Sequence, residues 1–155
     1  MSVIDLSQNV INAVVAYVLR WNRPPRLVLA TSDDDLRVSL GDELRSRGFE
    51  VLEAAHARTL HGALLRSLEN PGEHAVDLFV VDSSLDGCSP LHAIAYARRK
   101  GLDAATILLA DEEDFARTES MRLGLQICSR DFAAETIDRS LLRVLRQDWS
   151  QRTAA

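Results

Sequence analysis

Lysine is nearly missing from this chain. Of its 18 basic residues all but Lys100 are arginine, so a site built on a lysine ammonium has one candidate position. Cysteine is scarce too. Cys88 and Cys128 stand far from any C-x-x-C spacing, which excludes a zinc site or a disulfide framework and leaves two reduced thiols. Cys88 has no basic sequence neighbour to lower its pKa, so a redox role is disfavoured. His56, His61, His74 and His92 never fall at metal-ligand spacing, and no metal is expected. The serines of "DSSLDG" lack a G-x-S-x-G elbow, and the first β-α turn has no glycine for a dinucleotide phosphate. With no catalytic constellation to assemble, a small α/β enzyme is the weakest of the readings. The longest apolar run, "VINAVVAYVL", is too short to span a bilayer. It also lacks the basic flank and cleavage site of a signal peptide, so a cytoplasmic protein is expected. A net charge of −5 argues against nucleic acid as a partner, because that binding runs on clustered Lys and Arg.

What the chain does have is alternation. Its 155 residues suit one domain with a real core, and 46% hydrophobic with 26% charged residues is a globular balance. "RLVLA" follows the Pro24-Pro25 break and reads as a strand. "SDDDLRVSLGDELRSRG" reads as a helix, with Leu36, Leu40 and Leu44 recurring, acids in the first turn and Gly48 as the stop. "FEVLEAA" is a second strand and "TLHGALLRSLEN" a second helix, ended by Pro71-Gly72. "DLFVVD" and "SPLHAIAYARRKG" form the third pair, and "ATILLA" with "DEEDFARTESMRLG" the fourth. "LQICS" and "AAETIDRSLLRVLRQDW" close the domain, with Ile137, Leu141, Leu142 and Leu145 on one face of the last helix. Five β-α units in succession predict an α/β fold with a parallel sheet.

The third strand ends on an acid. Leu78 to Val81 are apolar, then come Asp82, two serines and an Asp-Gly turn. A carboxylate is costly to bury, so Asp82 needs a reason to be there. Asp86, followed by Gly87, reads as a turn residue.

This order of elements resembles the response-regulator receiver domain over about residues 26–147. "LRVSLGDELRSRGFEV" matches the family's first helix and second strand without a gap, and "VDLFVVDSSLDG" its third strand and the loop that follows. "GLQICSRDF" is similar to its fifth strand, one residue short. The resemblance implies a flavodoxin-like three-layer sandwich with sheet order 2-1-3-4-5 and a site at the carboxyl ends of the strands.

Carried over residue by residue, the resemblance puts Asp82 at the phospho-acceptor position. The acidic pair that helps hold Mg²⁺ falls on Thr31 and Ser32. The phosphoryl-contacting hydroxyl falls on Ala110, the lysine on Arg130, and the aromatic switch on Ile127 or Cys128. Asp33 is the possible substitute acid, although Asp33 to Asp35 also suit a helix N-terminus. Phosphoryl transfer is mostly positioning and charge neutralisation, and Mg²⁺ wants carboxylate oxygens. Losing one preorganised donor costs about 2.7–4 kcal/mol, and a guanidinium fork does not replace a compact ammonium. The expected protein is a pseudo-receiver: a signalling domain acting by protein–protein contact, poorly phosphorylated, binding Mg²⁺ weakly at Asp82 if at all. The alternative is a phosphorylatable regulator of a two-component relay that uses Asp82.

Residues 1–24 are expected to be a separate amphipathic helix and Pro linker, residues 25–148 the domain, and residues 149–155 a polar tail with no output domain after it. Ile4, Ile11, Val14, Val15, Val18 and Leu19 mark a broad apolar face on that helix. Burying four such side chains is worth about 6–12 kcal/mol before ordering costs. The expected cover is the same helix of a second copy in a symmetric dimer. The alternatives are its own domain and, less favoured because Arg20 and Arg23 are its only basic residues, a membrane surface.

Overall fold

The computed structural model describes residues 8–69, 76–110, 125–129, 137–143 and 145. Its elements are α1 (Gln8–Trp21), β1 (Arg26–Ala30), α2 (Asp34–Ser46), β2 (Glu50–Ala54), α3 (Ala57–Glu69), β3 (Leu78–Asp82), α4 (Pro90–Arg99), β4 (Ala105–Ala110) and β5 (Gln126–Ser129). Residues 137–143 are helical. The expected helix over 111–124 lies outside the described residues.

The strands form one parallel sheet in the order β2-β1-β3-β4-β5. Every residue of β3 is buried, as a central strand covered on both faces must be. Strand periodicity divides the core in two. Leu27, Leu29, Leu78, Val80, Ile107 and Leu109 point to the face covered by α2, by Ile137, Leu141 and Leu145, and by α1. Val28, Phe79, Val81 and Leu108 point to the face covered by α3 and α4. The parallel α/β sheet expected from the alternation, and the three-layer sandwich and strand order implied by the resemblance, are the observed fold.

The destination of α1 differs from the expected pairing. Val10, Val14 and Tyr17 are buried in the same core cluster as Leu40, Leu44 and Phe49. Of the face that was to meet a second copy, Val14 is turned inward. Val15, Val18 and Leu19 stay exposed and Ile11 is half-buried, while Ile4 lies outside the described residues. The cause is in the sequence. From Gln8 to Leu19 the helix carries no charge on any side, so apolar residues occur on two faces and periodicity alone does not choose between them.

What chooses is the chain just after α1. Asn22 closes the helix in a left-handed conformation, φ 56°. Arg23 then reaches Asp77, just before β3, through Nη1 to Oδ2 at 2.8 Å and Nη2 to Oδ1 at 3.1 Å. The backbone amide of Arg26 donates a third bond to Asp77 Oδ2 at 2.8 Å. The guanidinium lies 5.6 Å from the Tyr17 ring centroid. Gly48, at φ 103°, ends α2 where a Cβ would stand 2.9 Å from Val14 Cγ1. All of these contacts lie at the amino ends of the strands. They leave the carboxyl ends clear.

Candidate functional site

The carboxyl ends of the strands gather short polar side chains around one carboxylate. Asp82 closes β3 opposite Leu109 of β4 and is 2% exposed. The chain turns at once, with the Leu85 amide donating to Asp82 O at 3.1 Å and the Ser83 amide to Leu109 O at 2.8 Å. That turn brings Ser84 back over the carboxylate. Ser84 donates to Asp82 Oδ1 twice, from its amide at 3.0 Å and its hydroxyl at 2.9 Å.

The other oxygen is held from β1. Thr31, directly after that strand and fully buried, donates its hydroxyl to Asp82 Oδ2 at 2.8 Å. Its own position is fixed by its amide, which donates to Ala54 O at 2.9 Å, and by Arg37 Nη1, which donates to Thr31 O at 2.9 Å. Thr31 Oγ1 also accepts from the Asp33 amide at 3.1 Å. The hydroxyl is therefore in use both as donor and as acceptor.

Ser32, one residue on, does not hold Asp82 in this way. Its hydroxyl donates to Ala55 O at 2.7 Å and accepts from the Asp86 amide at 2.8 Å, tying three loops together. Asp86 returns its carbonyl to the Ala57 amide at 2.8 Å, as a turn residue would. Gly87, φ 109°, lets the loop press on the next one, since a Cβ there would stand 2.7 Å from His56 Cε1. Asp33 caps α2, its Oδ1 accepting from the Leu36 amide at 3.1 Å.

Ala110 ends β4 with a buried methyl beside Leu109. On β5, Ile127 is half-buried and Cys128 is buried, its Sγ 3.1 Å from Ser140 Oγ. Arg130 lies outside the described residues. Cys88 is exposed. His56 Nδ1 accepts from the Arg58 amide at 3.1 Å. Among the described residues no group of three or more His, Cys, Asp or Glu stands close enough to hold a metal ion.

Two features escaped the sequence reading. Ser84 is weighed in the sequence only as a nucleophile, although a hydroxyl two residues past a strand-end acid is well placed to fold back on it. The Arg23–Asp77 link was missed outright. Its signal was the one noticed at Asp82: an acid directly against an apolar run.

No protein-family model and no curated protein matches the sequence. Solved structures do match by fold. A receiver-domain protein from Clostridium thermocellum superposes with a TM-score of 0.69 at 15% identity, covering 82% of this chain and 98% of its own. A Francisella response-regulator receiver domain gives 0.65 at 12% identity, covering 80% and 98%. The Thermotoga maritima response regulator TrrA, solved with Mg²⁺ and BeF, gives 0.63 at 21% identity, covering 77% and 98%. The fold of this chain is the receiver fold.

Proposed function

We propose that this chain is a pseudo-receiver, a signalling domain that acts by contact with another signalling protein and is not efficiently phosphorylated at Asp82. The observation that carries the reading is the Thr31 hydroxyl donating to Asp82 Oδ2 at 2.8 Å. Where the resemblance calls for a metal-holding acid, this chain has a donor aimed at the acceptor carboxylate. Ser84 donates to the other oxygen. Both oxygens accept hydrogen bonds from within the fold, which stabilises the carboxylate where it is and weakens it as a nucleophile.

Mg²⁺ suits these residues poorly. It prefers near-octahedral oxygen ligands with one or two carboxylates among them. Here the Thr31 and Ser32 hydroxyls each already donate and accept, and Asp33 caps a helix. The alternative reading, a phosphorylatable relay regulator, draws on Asp82 standing at the carboxyl end of the central strand. Incubation with acetyl phosphate and Mg²⁺, followed by intact-mass measurement, separates the two. The expected result is an unchanged mass. A stoichiometric phosphoryl gain that disappears in Asp82→Asn overturns the proposal.

The partner contact belongs to a protein whose described helices are too short or too polar to cross a membrane. Localisation in the cytoplasm and a role without catalysis complete the proposal. Self-association through α1 is retained for its outward stripe alone, Ile11, Val15, Val18 and Leu19, which is uncharged and so free of like-charge repulsion in a two-fold pairing. Sedimentation velocity on the full chain is expected to show a dimer that Leu19→Glu splits. A monomer at every concentration removes this part.

A further inference from the structure

The arginines around α2 and β2 and the cations of α3 and α4 are handled differently. On the α2 and β2 side each described arginine has an acid. Arg26 meets Glu50, Arg37 meets Asp34 and Glu53, Arg45 meets Asp42 and Glu53, and Arg47 meets Glu43. Around α3 and α4, by contrast, none of the described ion pairs involves Arg58, Arg66, Arg99 or Lys100. Those two helices carry Arg58, Arg66, Arg98 and Arg99, with Lys100 as the C-cap of α4, against a single acid, Glu69. This concentration stands on a chain of net charge −5.

Helix stability accounts for only part of it. Cations in a last turn complement the helix dipole, which explains Arg66 in α3 and Arg98 and Arg99 in α4. Arg98 also has structural work, donating to Leu102 O at 3.1 Å and to Thr106 Oγ1 at 3.3 Å. Arg58 is the opposite case. It sits in the first turn of α3, where the dipole disfavours a cation and no acid offsets it. Lys100 lays its Nζ 5.6 Å from the centroid of Tyr96, which is 41% exposed. The His61 ring packs on the same tyrosine, with centroids 6.3 Å apart, and so joins α3 to α4.

Helical spacing aligns these groups. Arg58 lies one turn before His61, and His92 and Lys100 lie one turn either side of Tyr96. The result is an exposed stripe between two parallel β-α helices, with an aromatic centre and a cation near each end. Tyrosine and arginine are the residues that dominate protein interfaces, and an exposed cation beside an aromatic can be desolvated at lower cost than one alone.

We infer that the α3–α4 face is the docking surface for an acidic segment of a partner protein, held by Arg58, Arg99 and Lys100 around a Tyr96–His61 anchor. This names the chemistry of the partner and rests on the proposed function only in taking that partner to be a protein. A nucleic acid would offer the same charge but fits worse, because a duplex extends its dense charge well beyond this stripe over a chain of net charge −5, whereas a short acidic segment can stay on it.

The test uses the full ¹⁵N-labelled chain titrated with a short oligoglutamate peptide carrying one central leucine. An oligolysine peptide of equal length and a duplex DNA oligonucleotide serve as comparisons. Saturable amide shifts are expected at Arg58, His61, Tyr96, Arg99 and Lys100. Reversing Arg58 and Lys100 to glutamate is expected to weaken the oligoglutamate complex by about tenfold or more, each close charge pair across an interface being worth on the order of 1.5 kcal/mol upward. Tyr96→Ala should weaken it independently of charge, and Arg45→Glu on α2 should leave it unchanged. Shifts centred on α2 or around Arg139 and Arg143, the absence of saturation, or tighter binding of the DNA overturns the inference. Failure here with Asp82 still unmodified by acetyl phosphate removes this surface alone. Phosphorylation of Asp82 with peptide binding intact removes the earlier proposal alone.

Discussion

Asp77 and Asp82 stand five residues apart, just before β3 and at its end, and both are almost fully buried. They are held by different means. Asp77 receives a two-pronged guanidinium from Arg23 and a backbone amide from Arg26. The donors described at Asp82 are two hydroxyls and an amide, from Thr31 and Ser84. A guanidinium fork brings full opposite charge and fixes geometry across a long reach of chain. Hydroxyls bring direction and a modest field, and they come from residues within the same strand-end loops. The amino end of the strand is thus a clamp on a distant segment, α1. The described contacts at the carboxyl end are local hydrogen bonds between polar groups. This matters for the proposed function, which rests on the carboxyl end, where Thr31 and Ser84 donate to Asp82.

The clamp should show the larger effect when broken. In the Arg23–Asp77 pair the side chains are 33% and 5% exposed. Removing Arg23 takes the two-pronged cation away from Asp77, which stays buried and keeps the Arg26 amide. Arg23→Ala is expected to lower the unfolding free energy by about 3 kcal/mol, the lower end for breaking a buried pair because Arg23 keeps some water. Urea denaturation measures it. Replacing both partners by apolar residues of similar size should recover most of the loss. A cost for Arg23→Ala within about 1 kcal/mol would place the pair with ordinary surface bridges. The pair also has a definite pH signature. Its hydrogen bond to Asp77 raises the Arg23 pKa above the ordinary arginine value. The stabilisation on the arginine side is therefore complete below that ordinary value and is lost only on rising through the raised one. Across neutral pH it contributes no slope.

At the other end the first cut is Thr31→Val, which keeps shape and removes the hydroxyl. Asp82 Oδ2 then loses its 2.8 Å donor and the Asp33 amide loses its acceptor. The expected loss is about 2 kcal/mol, since a hydrogen bond to a charged group is at stake in a fully buried position. Thr31→Ser should restore nearly all of it. If valine is tolerated without cost, Asp82 does not depend on Thr31, and the observation that carries the proposed function falls with it.

These two ends also mark how far the sequence could be read. Strands alternating with helices gave the parallel sheet, because residues such as Leu27, Leu29, Leu78 and Val80 leave little freedom in which face is buried, while the strand order came from the resemblance. Counting back from Leu36 brought Thr31 to Asp82, because a strand and its following turn have nearly fixed length. The packing of α1 was not legible in that way. A helix without charge from Gln8 to Leu19 has only Gln8, Asn9 and Asn12, all near its start, to mark an outward side, and beyond its end Arg23 ties it to an acid far along the chain. Long-range charge pairs leave no periodic trace. Ser32 illustrates a third limit. The resemblance sets it at a metal-holding acid's position, whereas its hydroxyl joins three loops that lie far apart in the sequence.

Ser32 gives the smallest and most local test. Its hydroxyl donates to Ala55 O and accepts from the Asp86 amide, and the Asp86 carbonyl in turn holds the Ala57 amide. The serine is only half-buried, so water can replace its hydroxyl at both partners. Ser32→Ala should therefore cost about 1 kcal/mol in global stability, the ordinary net worth of such bonds. Its clearer consequence is kinetic and confined to the loops. Hydrogen exchange at the Asp86 and Ala57 amides should quicken, while amides at the amino end of the strands, such as Asp77, keep their protection. The opposite pattern is expected for Arg23→Ala, which should loosen the Asp77 amide before the Asp86 amide. If both variants loosen both ends alike, the two ends of β3 open as one unit and the division between clamp and network does not hold.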